Sequence, residues 1–189
     1  MGKLIPKSNE MITMRDLLAS GVISKVREGI KLLGKVRSLV FSPCMYHECY
    51  TDNLLFDDQQ STSPLKYPIH IEVSRASDSA IKLVEAAGGT VTCSHFNRLA
   101  LRALIKPYKF ELLPRRARPP PKLMNYYLDV SKSGYLSPEV QARNLKLFGH
   151  VTSEHSLRLE HDRFMDARRV EYAQQRAELE KKIHASSST

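Results

Sequence analysis

The sequence predicts a small α/β domain built around a βαβ unit, followed by an extended basic Pro-rich arm and a long C-terminal helix. Three observations carry this expectation. IHIEV at 69–73 alternates apolar residues, SDSAIKLVEAAGG follows with a helical apolar stripe, and TVTCS at 90–94 returns to strand-forming residues. Within residues 98–122 eight Lys or Arg stand against the single acid Glu111, and Pro107, Pro114, Pro119, Pro120 and Pro121 forbid a continuous helix or a central strand. From residue 153 to about 183 there is neither Pro nor Gly, so one long charged helix is expected.

The 189 residues suffice for one domain with extensions. Basic residues outnumber acidic ones by 29 to 20, and the resulting net charge of +9 points to nucleic acid or an anionic membrane surface. No run of about 18 apolar residues suggests a membrane span. No apolar core near the start resembles a signal peptide, so the chain reads as soluble and not obviously secreted. Cys44, Cys49 and Cys93 are an odd number without framework spacing, which fits free thiols in a reducing compartment.

Residues 1–10 read as an N-terminal tail and 11–105 as the α/β domain. Thr13 and Asp16 are spaced to cap a short helix over MRDLLASG, with Met14, Leu17 and Leu18 on one face and Gly21 at its end. Gly29 and Gly34 frame IKLL. Residues 38–66 carry Glu48, Asp52, Asp57 and Asp58 with no Lys or Arg before Lys66, and read as an irregular insertion. In the βαβ unit Ser77 is an apt N-cap, Asp78 suits the helix dipole, and Gly88 and Gly89 form a helix stop. Ala80, Val84 and Ala87, flanked by Ile81 and Leu83, make the apolar stripe, while Lys82 and Glu85 can face water. The default connection is parallel and right-handed, with the two strands as neighbours.

Residues 106–136 read as the extended basic arm, unable to fold alone and ordering on what it binds. Residues 137–189 read as a helical extension, with a brief helix up to Phe148 and then the long one. Ser153 is a plausible cap, and Glu154 to Arg158 and Glu178 to Lys182 have the favourable i,i+4 order. Leu157, Phe164, Val170, Ala173 and Ala177 keep no heptad, which favours a helix lying on a partner over a coiled coil.

Catalytic chemistry is hard to assemble from these residues. Cys44, His47 and Cys49, with Glu48 or Cys93, have metal-ligand types but lack a second ligand pair at knuckle spacing, so no metal site is assigned. Cys93 and His95 have no third group to orient them as a nucleophile and base, and Gly88 and Gly89 lack the context of a phosphate loop. The expectation is a non-enzyme without cofactors. Clustered cations displace counterions from a phosphate backbone, which marks Arg98, Arg102, Lys106, Lys109, Arg115, Arg116, Arg118 and Lys122 as RNA contacts, with Arg75 added at the strand-to-helix turn. Tyr126, Tyr127 and Tyr135 admit two readings, as stacking surfaces for unpaired bases or as pins of the arm on the chain's own core.

MRDLLASG, IKLLG, the S-x-x-A-x-x-x-V-E-x-x-GG helix with its following strand, NRLALRAL and PRRARPPPKLMNYY…GYL closely resemble the mitochondrial branch of the universal large-subunit ribosomal protein fifteen family. The resemblance spans 11–34 and 69–136. It implies a ribosomal-protein domain, a structural role in the mitochondrial large subunit, and rRNA and neighbouring ribosomal proteins as partners, with no membrane insertion and no small-molecule substrate. It also implies residence in the mitochondrial matrix, although no presequence is visible in this chain. Two departures stand out: the family's Gly/Arg-rich arm is missing ahead of residue 11, and an acidic insertion at 38–66 replaces a short turn. Both are what an incomplete or mis-spliced gene model would leave. The alternative is an off-ribosome RNA-binding or RNA-chaperone protein; a small enzyme using Cys93 and His95 is the remoter rival.

Overall fold

The computed structural model describes residues 11–35, 38–42 and 68–187. The first helix, α1 (Met14–Ala19), begins at a capping box: the Thr13 amide donates to Asp16 Oδ2 at 2.8 Å, and the Asp16 amide donates back to Thr13 Oγ1. Gly21 closes it at φ +74°, a conformation that costs a residue without Cβ little. Met14 and Leu17 are buried, and Leu18 is half-buried.

The βαβ unit forms as the sequence predicts. β3 (His70–Val73) and β5 (Thr90–Cys93) pair in parallel, His70 against Thr90 and Val73 against Cys93, and α2 (Asp78–Ala86) connects them. Ser77 caps α2, its hydroxyl accepting from the Ala80 amide. Ala80, Ile81 and Val84 are buried while Lys82 and Glu85 face water. Gly88 ends the helix at φ +78°. Gly89 serves strand pairing instead. A Cβ there would lie 2.2 Å from the Ile69 carbonyl oxygen and 2.7 Å from its nitrogen, so β5 can approach β3 only without a side chain. Gly89→Ala is therefore expected to cost about 1–3 kcal/mol through forced separation of the strands, read by equilibrium urea unfolding.

Residues outside the βαβ unit extend this small sheet on both sides. Ile12 bridges to Ile71 in parallel, and Gly134 bridges to Cys93, whose amide donates to the Ser133 carbonyl at 2.8 Å. A second sheet holds β1 (Lys31–Lys35) at its centre, antiparallel to β2 (Ser38–Ser42) and parallel to β4 (Arg75–Ala76). The first five residues of the expected irregular insertion are thus a strand, because KLLGK and SLVFS form a hairpin with Lys31 against Ser42 and Lys35 against Ser38. The rest of that insertion, with Cys44, His47, Glu48 and Cys49, lies outside the described residues, as does the tail 1–10. The core runs from Ile12 to Tyr127 along the chain and includes Met14, Ile30, Leu32, Ile71, Val73, Val84, Val91, Leu101 and Leu104.

The basic segment 98–122 is less extended than its prolines suggest. Residues 98–105 are a helix, α3 (Arg98–Ile105), capped by Asn97, whose side chain accepts from the Ala100 amide at 2.7 Å. A single 3-10 turn, Pro107–Lys109, follows, and only 110–120 runs without helix before α4 (Pro121–Leu128) starts. The prolines do interrupt helix, but Pro121 sits at the first helical position, where its missing N–H costs nothing and its fixed φ helps. Nor does the segment stand clear of the domain. Pro107 and Pro119 are buried, and Leu113, Pro114, Arg116 and Ala117 are half-buried against the domain.

α5 (Pro138–Phe148) stops at Gly149 with φ +72°, and α6 (Glu154–Ser187) follows it. Ser153 precedes α6, and its amide donates to Glu72 Oε2 at 2.9 Å rather than its hydroxyl capping the helix. Glu154 and Arg158 form the expected i,i+4 pair. Leu157, His161 and Met165 turn towards the body, and Arg15 of α1 bonds Glu160 at 2.8 Å. Beyond them every described side chain from 166 to 181 is exposed. At 1.5 Å per residue, the segment from 166 to the helix end reaches on the order of 30 Å. Among the described residues, no helix is long and apolar enough to cross a membrane.

Candidate nucleic-acid interface

The apolar face of α3 fixes where its cations lie. Leu101, Ala103 and Leu104 are buried, which leaves Arg98 and Arg102, one turn apart, on the water side, and Lys106 continues the four-residue spacing at the helix end. Arg102 lies 6.0 Å from the centre of the Phe110 ring, which steers its guanidinium along the surface. Lys109, Arg115, Arg118 and Lys122 are exposed as well. Seven of the eight expected cations thus face solvent, on a segment whose only acid is Glu111.

Arg116 is the exception. Its side chain is only 10% exposed, and Nη2 donates to Glu72 Oε1 at 3.0 Å. The guanidinium lies 4.2 Å from the Phe96 ring centre and 5.5 Å from that of Tyr135. Glu72 is fully buried. Burial alone would raise its pKa, but the Arg116 charge and the hydrogen bond from the Ser153 amide outweigh it and hold the carboxyl below its ordinary 4.5. Arg116 is accordingly committed inside the protein, not to an external phosphate. Arg75 is half-buried, with its guanidinium 5.3 Å from the Tyr126 ring centre.

The tyrosines resolve in favour of packing. Tyr127 is completely buried and donates to the Ser74 carbonyl at 3.2 Å. The Tyr126 hydroxyl accepts from the Ala76 amide and donates to its carbonyl, both at 3.2 Å. Tyr127 stacks edge-on with Tyr126 at 5.2 Å and with Tyr135 at 5.8 Å between centres. Tyr127, enclosed by its own domain, has no face for a base, while Tyr126 and Tyr135 are half-buried. Burial pushes the Tyr127 phenol up to about 12.

Cys93 offers no nucleophile. Burial raises its thiol to about 12, against weaker lowering by a hydrogen bond from Tyr126, so it stays protonated at neutral pH. Among the described residues no three His, Cys, Asp or Glu are grouped to hold a metal ion. Two residues escape a reading of the sequence. Glu72 looks like any polar residue of an alternating strand, and its partner lies 44 residues away. Tyr108 stands between Lys106 and Lys109 and is 49% exposed; the KPYK spacing is the available signal.

Residues 1–92 match the family described as ribosomal proteins 50S-L15 and 50S-L18e with their 60S counterpart. Over 139 residues the chain is 31% identical to the large ribosomal subunit protein uL15m of Schizosaccharomyces pombe, covering 73% of this chain and 45% of that protein. A 73-residue stretch is 40% identical to uL15m of Danio rerio, covering 36% of this chain and 25% of the relative. The bacterial uL15 of Methylobacterium nodulans is 32% identical over 93 residues, 49% of this chain and 40% of its own. The chain spans less than half the length of each of these relatives. With the βαβ unit in place and these matches beside it, the chain belongs to the ribosomal protein L15 and L18e family, on the side of its uL15m members.

Proposed function

We propose that this protein is a structural constituent of the mitochondrial large ribosomal subunit, bound to rRNA and to neighbouring ribosomal proteins in the matrix. The observation that carries the reading is the row of seven exposed cations, Arg98, Arg102, Lys106, Lys109, Arg115, Arg118 and Lys122, held on folded elements with one acid among them. Cations fixed in place displace counterions without first losing the freedom of a floppy arm. They fix position and orientation and select no nucleotide motif. The exposed length of α6, with Phe164, Val170, Tyr172 and Leu179 among its charges, is the surface offered to a neighbouring protein.

Sedimentation of the tagged native protein from mitochondrial lysate tests the assignment. Co-migration with the large subunit after a high-salt wash is the expected result. A protein left at the top of the gradient would replace the reading by that of an RNA binder acting off the ribosome. The contacts themselves are tested with purified chain and single-stranded RNA. Changing Arg102, Lys106 and Lys109 together to Gln should reduce the slope of log affinity against log salt by about 2 units, at roughly 0.7 per lost phosphate contact. An unchanged slope would remove these three from the interface.

A further inference from the structure

We infer that Tyr108 is a stacking platform for one unpaired nucleotide of the bound RNA, with Lys106 and Lys109 holding the phosphates on either side of it. The inference rests on the rRNA reading above and adds to it a base contact. Among the described residues the exposed tyrosines are Tyr108 and Tyr172, and the Tyr172 hydroxyl is already engaged by Arg168 at 3.0 Å. Tyr108 is flanked by exposed Lys106 and Lys109, an aromatic ring interleaved with cations as single-strand binding surfaces require. Leu112, four residues on and 85% exposed, extends the apolar surface.

The ring is carried on a fixed support. The Lys106 amide donates to the Arg102 carbonyl at 2.9 Å, the Lys109 amide to the Lys106 carbonyl at 3.2 Å, and the Phe110 amide to that of Pro107 at 3.1 Å. Pro107 is buried beneath the turn, and His161 Nε2 of α6 donates to the Phe110 carbonyl at 2.7 Å. A platform held by its own turn and by the long helix loses little freedom when a base settles on it. Stacking needs a free base face, which a duplex hides and a loop or bulge presents; the ligand is thus unpaired RNA.

The chain contains no Trp, so the Tyr108→Trp variant of the full chain carries a single indole reporter at this position. It is titrated with oligouridylate and with an abasic strand of equal length and charge. The expected result is indole quenching by the base-bearing strand and none by the abasic one. Tyr108→Ala should weaken oligouridylate binding about tenfold without altering the salt slope, and Tyr108→Phe should bind like the parent. Binding of both strands with unchanged emission, or Tyr108→Ala binding as tightly as the parent, would overturn the platform and leave the ring for a protein neighbour. Failure of the parent chain to bind either strand would instead overturn the RNA reading, and this inference with it.

Discussion

Glu72→Ala is expected to lower the unfolding free energy by about 3–5 kcal/mol, because it strands the Arg116 guanidinium in a buried site without its counter-charge. Glu72 joins three parts of the chain. Oε1 accepts from Arg116 in the arm, and Oε2 accepts from the Ser153 amide just ahead of α6, while the backbone of Glu72 lies in β3. The alanine variant therefore releases the arm and the foot of α6 together. Adding Arg116→Leu to Glu72→Ala should restore part of the loss, since removing both charges avoids the uncompensated one. Urea denaturation followed by circular dichroism reads both variants. A loss under about 1 kcal/mol for Glu72→Ala would show that water reaches and solvates Arg116, against the observed packing.

The same carboxylate sets a pH dependence. Its folded pKa lies below 4.5, so the pair's contribution is fully present above that ordinary value and disappears as pH falls through the lower folded value. Stability should decline on acidification below about pH 4.5, and Glu72→Gln should flatten that part of the profile.

Tyr127→Ala is the second large effect, expected at about 3–5 kcal/mol, the range for deleting a large buried aromatic ring that its surroundings cannot fully replace. The ring touches Tyr126, Tyr135 and His95 edge-on, so its loss opens a cavity beneath α4 and the turn at Gly134. Gly134 already accommodates this residue closely, since a Cβ there would lie 2.2 Å from the Tyr127 carbonyl oxygen. Tyr127→Phe removes the hydroxyl that donates to the Ser74 carbonyl and should cost about 1 kcal/mol. Thermal unfolding measures the pair of variants. RNA binding by the phenylalanine variant should equal that of the parent, and a loss of affinity without loss of stability would return Tyr127 to the interface.

The βαβ unit is legible in the sequence because its signals are local. Ser77, Asp78, the stripe at Ala80, Ile81 and Val84, and the αL stop at Gly88 act within a few residues of one another. The capping box of α1 is legible for the same reason. The arm is harder, since proline spacing identifies where a helix cannot continue but not that Pro121 can begin one, and α3 is hidden by its own basic residues. Its apolar Leu101 and Leu104 show their purpose only once the core that receives them is known.

For the candidate site, charge density by itself singled out residues 98–122 as the cation cluster, and motifs within and around it carried the family resemblance. Seven of the eight positions are on the surface where that reading needs them. What tertiary structure alone decided is the division of labour among chemically equivalent residues. Arg116 and Arg115 are neighbours of the same type, and Tyr108 and Tyr127 share one side chain, yet in each pair one faces water and the other is enclosed. The enclosing partners, Glu72, Phe96 and Ser74, come from strands and loops brought close only by folding, so no local pattern in the arm could have told the members of a pair apart.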